Sequence, residues 1–175
     1  QDLEILREAT ATDAVFLALL DGRGESIDSI ASARAPFALC RPEVLRGERL
    51  DALPWIRSRL EHVRILEFRD TVAVRPEQVA DAARLAGIEI RSLLLIAFAV
   101  QGTVRGFLAF ASAGPRDGWD VNLHLLLKLV GTSLATGLER MSLADRLASL
   151  QERQDLALPC ANDGLWDFDV DNNTV

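Results

Sequence analysis

The sequence predicts an α+β fold: an antiparallel sheet of five or six strands, flanked by helices and ending in a long C-terminal helix. Three observations carry that expectation. An almost unbroken apolar run from Leu93 to Val100 has the character of a strand buried on both faces. Gln101-Gly102 follows it as a two-residue hairpin turn, with "TVRGFLAFASA" as the returning strand. After Asp120, no breaker stronger than an isolated Gly occurs until Pro159, so a helix of about 37 residues, roughly 55 Å, is expected.

The remaining elements follow in chain order. "QDLEILREAT" places Leu3, Leu6 and Ala9 at helical spacing, with Ile5 beside them. "AVFLALLD" reads as a strand. Asp21-Gly22 supplies a turn whose positive φ suits a hairpin, and "SIDSIASARA" pairs back. Residues 36–50, with Pro36, Pro42 and Gly47, form an irregular loop. "LDALPWIRSRLEH" is a helix led by Pro54, and "VRILEFRDT" is a strand. In "RPEQVADAARLAG", Pro76 suits the first helical position and Gly87 the residue just past the end. Ile90 to Val100 and Thr103 to Ala113 are then paired inner strands. There is no internal repeat.

Composition narrows the function. A chain of 175 residues with 49% hydrophobic content can bury one sizeable core. A net charge of -7 argues against nucleic-acid binding or a polybasic membrane anchor. Lys128 is the only lysine. Cys40 and Cys160 suggest no disulfide framework or metal cluster and fit a reducing compartment, so a cytoplasmic location is expected. No signal peptide is visible, and no apolar run reaches the roughly 18 residues needed to span a bilayer.

Several stretches resemble a GAF domain, a small-molecule sensing module of bacterial signalling proteins. They are "GIEIRSLLLIAFAVQGTVRGFLAF", "LPWIRSRLEHVRILEF", Trp119 and the "LERM" of the long helix; Ala97 stands where the family often has Pro. The resemblance covers roughly residues 1–150. The closing "NDGLWDFDVDNNTV" alternates apolar and acidic residues and resembles the first hairpin of a PAS domain. The expected organisation is a sensory domain over residues 1–141, a linker helix over 142–160 and the start of a PAS domain over 161–175. The resemblance implies a GGDEF/EAL context, with cyclic di-GMP turnover as the output, or alternatively a histidine kinase.

No catalytic pattern emerges. "DGRGES" lacks the spacing of a phosphate loop, no G-x-S-x-G occurs, and the cyclic-nucleotide signature of GAF domains is missing. Asp167, Asp169 and Asp171 have calcium-loop spacing, but Asn172 stands where such a loop wants Gly. His62 and His124 lack partners at ligand spacing. Cys40 lies in the region where bilin-binding GAF domains can carry an attachment cysteine; those usually put His next, and here Arg41-Pro42 follows. The sequence thus carries no haem, bilin or metal signature, names no cofactor, and reads as a non-catalytic module.

In GAF domains the ligand pocket lies between one sheet face and the middle segment. The resemblance would gather Arg34, Phe37, Trp55, Phe68, Ser92 and Phe110 there, with Arg34 as the anion contact; the alternative is that the aromatics fill the core. In the long helix, Leu123, Leu127, Val130, Leu134, Leu138 and Met141 form one apolar seam, expected to pack on the domain with the N-terminal helix. Leu143, Leu147 and Leu150 continue it in a shifted phase, expected to pair with a second chain in a homodimer. A ligand-free dimerisation scaffold is the rival reading.

Overall fold

The computed structural model describes residues 2–60, 62 and 65–119, and thereafter 131–133, 136–137, 139–141, 143–144, 147 and 149–151. Calls at Asp120, Leu123, His124, Leu127, Lys128, Val130, Leu134 and Leu138, at Cys160, and over the closing PAS-like stretch fall outside the described residues. By internal contacts the chain divides into two units, Gln1–Thr136 and Gly137–Val175.

The first unit is α1 (Asp2–Thr10), β1 (Ala14–Leu20), β2 (Ile27–Arg34), α2 (Pro54–Leu60), β3 (Ile65–Phe68), α3 (Val79–Ala86), β4 (Ser92–Val100) and β5 (Thr103–Ser112). Single 3₁₀ turns at Pro42–Leu45, Leu50–Ala52 and Pro76–Gln78 punctuate the loops. The five strands form one sheet in the order β2-β1-β5-β4-β3, with every neighbouring pair antiparallel. The predicted inner hairpin is therefore present, trimmed by two residues at its start and one at its end. Its turn residues Gln101 and Gly102 both have positive φ, 51° and 80°, as a tight hairpin between right-twisted strands requires.

Alternation along these strands makes two cores. Phe16, Ala18, Leu93, Leu95, Phe107 and Ala109 face the middle segment, where they meet Leu53, Ile56 and Leu85. Val15, Leu94, Ile96, Leu108 and Phe110 face the other way, toward Trp119 and the α1 side chains Leu3 and Leu6. That two-sided cover explains why β4 is apolar at nearly every position. On the second face a Cβ at Gly131 would lie 3.3 Å from Ile96 Cγ2, so a glycine there admits close approach to the sheet.

Two local expectations are corrected. In the first hairpin the positive φ falls on Gly24 (73°) and not on Gly22. The Asp21 carboxylate organises the turn by accepting from the Arg23 and Glu25 amides, at 3.2 and 2.8 Å, and from Ser26 Oγ at 2.7 Å. These bonds, led by the one from Ser26, hold the Asp21 carboxyl below its ordinary range. At the end of α3, Gly87 keeps right-handed geometry, and Glu89 takes the left-handed position at φ 60°. The Ile90 amide returns to Leu85 O and the Glu89 amide to Ala86 O, which closes the helix in a Schellman pattern. The later stop puts both Ile88 and Ile90 into the core.

In the second unit, the described residues from 137 to 151 are helical. Met141, Leu143, Leu147 and Leu150 are exposed there, Leu147 at 61%. Among the described residues no helix is long and apolar enough to cross a membrane.

Gly106 offers a test of the central pairing. A Cβ there would sit 2.3 Å from Ala18 O and 2.5 Å from Phe98 Cζ. Gly106→Ala should destabilise the protein by about 3 kcal/mol, read as a lower urea midpoint at unchanged m-value. An unchanged midpoint would mean that β1, β4 and β5 do not meet as closely as described.

Candidate ligand cavity

β3 delivers Phe68 to the end of the sheet opposite the Gln101-Gly102 turn, and the chain then leaves as the loop 69–78. Asp70 anchors that loop. Its carboxylate accepts two bonds from Arg91, at 2.9 and 3.1 Å, and one from the Val72 amide at 3.0 Å. The Arg91 bonds, with smaller help from the Val72 amide, hold the Asp70 carboxyl below its ordinary range. The Thr71 amide donates to Arg91 O at 2.8 Å, and the Arg116 amide to Arg69 O at 2.9 Å. Further on, Gln78 Oε1 accepts from the Arg75 amide at 3.1 Å and Arg75 O accepts from the Gln78 amide at 2.9 Å, closing the turn that opens α3.

α2 supplies the facing wall. The amides of Trp55 and Ile56 donate to Asp81 Oδ2 and Oδ1, at 3.0 and 2.9 Å, so a carboxylate from α3 caps α2. Asp81 is wholly buried. Nothing in its sequence setting singles it out from an ordinary surface acid. Trp55 then packs edge-to-face on Phe68, ring centroids 5.1 Å apart, with the Arg59 guanidinium 5.9 Å from its ring centre.

Between these walls lies a cavity of about 430 Å³, bounded by Trp55, Phe68, Arg69, Asp70, Arg75 and Gln78. A second cavity, about 370 Å³, opens at the other end of the sheet beside Leu20, Arg23, Leu60 and Val104. It has no aromatic wall, and its Arg57 and Glu25 pair with Asp51 and Arg49. The first cavity is the more open of the two but the stronger candidate by its lining, because aromatic surface and polar groups converge on it.

Two of the six predicted pocket residues, Trp55 and Phe68, thus line one cavity together. The other four do not join them. Arg34 ends the edge strand β2, ion-paired to Glu43 at 3.3 Å, with Nη1 donating to Cys40 O at 3.4 Å. Phe37 is 96% exposed in the following loop. Phe110 belongs to the opposite face with Leu94 and Val15, and the alternation of β4 puts Ser92 on that side too. The Ser92 hydroxyl donates to Gly114 O at 2.9 Å. Of the helix residues, Met141, Leu147 and Leu150 are exposed.

The polar part of the cavity, Arg69, Asp70, Arg75 and Gln78, was not singled out from the sequence. Its one signal is a polar stretch with Pro76 between a strand and a helix, and functional groups concentrate in such loops.

The remaining chemical candidates have structural employment. Cys40 is buried, its Sγ donates to Glu89 O at 3.1 Å, and burial pushes the thiol up to about 11, which makes it a poor nucleophile. His62 is exposed in the turn after α2, with Nδ1 3.2 Å from Ser58 O. Among the described residues no three His, Cys, Asp or Glu side chains converge as a metal site would require.

No family model and no curated protein matches the sequence. Solved structures do match it. A GAF domain from Synechocystis sp. PCC6803 in its photoproduct state superposes with a TM-score of 0.62 at 17% identity, over 83% of this chain and 93% of that one. The blue-light absorbing PixJ GAF domain of Thermosynechococcus elongatus gives 0.62 at 18%, over 86% and 90%. A GAF domain/HD domain protein from Geobacter sulfurreducens gives 0.59 at 19%, over 81% and 90%. The fold is that of a GAF domain. At these identities the likeness extends to architecture alone.

Asp81 generates two expectations. Asp81→Ala, which strands two amides, should cost about 2–4 kcal/mol of unfolding free energy. Burial, against the two backbone bonds, raises the Asp81 carboxyl above its ordinary 3.8. The folded chain then holds that proton more tightly than the unfolded chain does. The group's contribution to stability is therefore fullest below pH 3.8 and is lost as the pH climbs through the raised value. The stability difference between the unmodified protein and Asp81→Asn should shrink as the pH rises above 3.8 in denaturant titrations. A difference that grows instead would make Asp81 a charged cap held below its ordinary range.

Proposed function

We propose that this chain is a sensory and regulatory GAF-type module, without catalysis of its own, that binds a small molecule in the cavity beside Trp55 and Phe68. The observation that carries the reading is the convergence there of an aromatic pair, at 5.1 Å, with guanidinium and carboxamide groups around about 430 Å³. The GAF fold supports it. One of the similar structures is a phycocyanobilin-bound GAF domain of a cyanobacterial phytochrome, at a TM-score of 0.63 and 16% identity, over 79% of this chain and 80% of that one. In this chain the buried, weakly acidic thiol of Cys40 does not favour covalent attachment of such a pigment.

The signal would pass through the C-terminal helix to a following PAS domain and an output domain for cyclic di-GMP turnover, with a histidine kinase as the alternative output. The exposed Leu143, Leu147 and Leu150 support a homodimer through that helix, and the two widely spaced cysteines of the sequence favour a cytoplasmic location. The same leucines favour the second reading, a ligand-free dimerisation scaffold. Native mass spectrometry of the purified protein separates the two, since it reports bound mass and subunit number together. A dimer that retains a small molecule fits the sensor, and a dimer that takes up nothing from a metabolite mixture fits the scaffold.

Two substitutions refine this. Trp55→Ala should weaken binding of the retained molecule by more than it lowers the melting temperature. Unchanged affinity with a collapsed melting transition would assign Trp55 to the core alone. Leu147→Glu with Leu150→Glu should yield monomers while the far-UV spectrum of the sheet persists. An unmodified protein that is already monomeric by light scattering at high micromolar concentration would remove the dimer.

A further inference from the structure

The hydrogen-bond ledger of the cavity specifies what its ligand must bring, given the reading above that this cavity is the sensing site. Both carboxylates on its wall are already engaged. Glu67 accepts from Arg69 Nε at 2.9 Å, and Asp70 holds Arg91 through two bonds while also accepting from the Val72 amide. Arg75 is different. Among the described residues its guanidinium has neither an ion pair nor a hydrogen bond; only its backbone is engaged, with Gln78. The Gln78 carboxamide spends its oxygen on the Arg75 amide, which leaves the two N–H donors of its nitrogen without a partner among the described residues.

The cavity therefore presents free donors on Arg75 and Gln78, while each of its carboxylates is already paired with a guanidinium. A group that only accepts, and carries one negative charge, answers both Arg75 and Gln78. A carboxylate is such a group. The opposite wall is the edge-to-face pair of Trp55 and Phe68, continued by Ala73 and Val74, and it suits a flat apolar body. A phosphate dianion would ask for more cationic contacts than Arg75 alone provides. We infer that the cavity binds a small aromatic carboxylate, its carboxyl group clamped by Arg75 and Gln78 and its ring against Trp55 and Phe68.

The test compares isosteres on the full 175-residue chain: indole-3-acetate, its neutral analogue indole-3-acetamide, and indoxyl phosphate, each titrated by calorimetry and by ¹⁵N NMR of the tryptophan indole N–H signals. The expected result is that the acetate binds at least about tenfold tighter than the acetamide and moves the Trp55 signal, assigned with Trp55→Phe. Arg75→Gln should erase that preference by weakening the acetate far more than the acetamide, with the melting temperature unchanged, because the Arg75 guanidinium makes no other hydrogen bond or ion pair among the described residues. Equal affinities for acetate and acetamide, or an acetate affinity that survives Arg75→Gln, overturn the anion clamp while the cavity reading stands. Tighter binding of the phosphate overturns the carboxylate assignment. If neither indole acid nor amide binds at millimolar concentration, the sensing cavity itself is refuted and this inference falls with it.

Discussion

The Asp81 carboxylate reaches out of α3 to accept the Trp55 and Ile56 amides of a helix 25 and 26 residues earlier in the chain. α2 is only seven residues long, and the residue before it, Leu53, has no side-chain oxygen with which to cap it. Its first N–H groups would otherwise be orphaned in the core, at a cost of about 1–3 kcal/mol each. A buried carboxylate is itself expensive, and the two backbone bonds offset that expense. The result fixes α2 against α3. Ile56 is thereby set into the core and Trp55 at its margin, beside Phe68. The interaction that assembles the middle layer also builds the cavity wall, so a ligand resting on Trp55 would bear directly on the α2–α3 pair.

The same layer is tied to the sheet from its other side. Arg84 of α3 grips Glu48 in the irregular loop through two bonds, at 3.2 and 2.6 Å, and that pairing holds the Glu48 carboxyl below its ordinary range. The loop in turn pairs with the start of β2, where the Ile27 amide donates to Glu48 O. At the C-terminal end of α3, the Arg41 amide and the Cys40 thiol satisfy the carbonyls of Ile88 and Glu89. A cysteine that a sequence reader weighs as an attachment site is thus a donor closing a helix end. These ties leave the 69–78 loop, held by Asp70 and Arg91, as the open side of the layer.

Strong local patterns were legible in the sequence. The doubly apolar β4, the Gln101-Gly102 turn and the helix after Pro76 are each dictated by residues within a few positions of one another, and all three stand in the structure. Stop signals were less legible. Gly22 and Gly87 look like the positive-φ residues of their turns, yet Gly24 and Glu89 fill those roles. At the first turn the Asp21 carboxylate chooses which amides to gather, and at the second the need to bury Ile88 and Ile90 moves the helix end past the glycine.

The sequence by itself determined the strand and helix order and the two-sided burial of the sheet, because apolar periodicity reports local geometry directly. It could not say which sheet face a residue shares with which helix. Phe110 and Phe68 are equally apolar on paper, and only strand register and the placement of α2 put one opposite Trp119 and the other against Trp55. Tertiary structure alone also decided that Asp81 is buried, since an acid in an amphipathic helix looks solvated until the orphaned amides of another helix arrive beside it. The free donors of Arg75 and Gln78 belong to the same class of fact. A side chain's spare valences become visible only once every neighbour's partner is known.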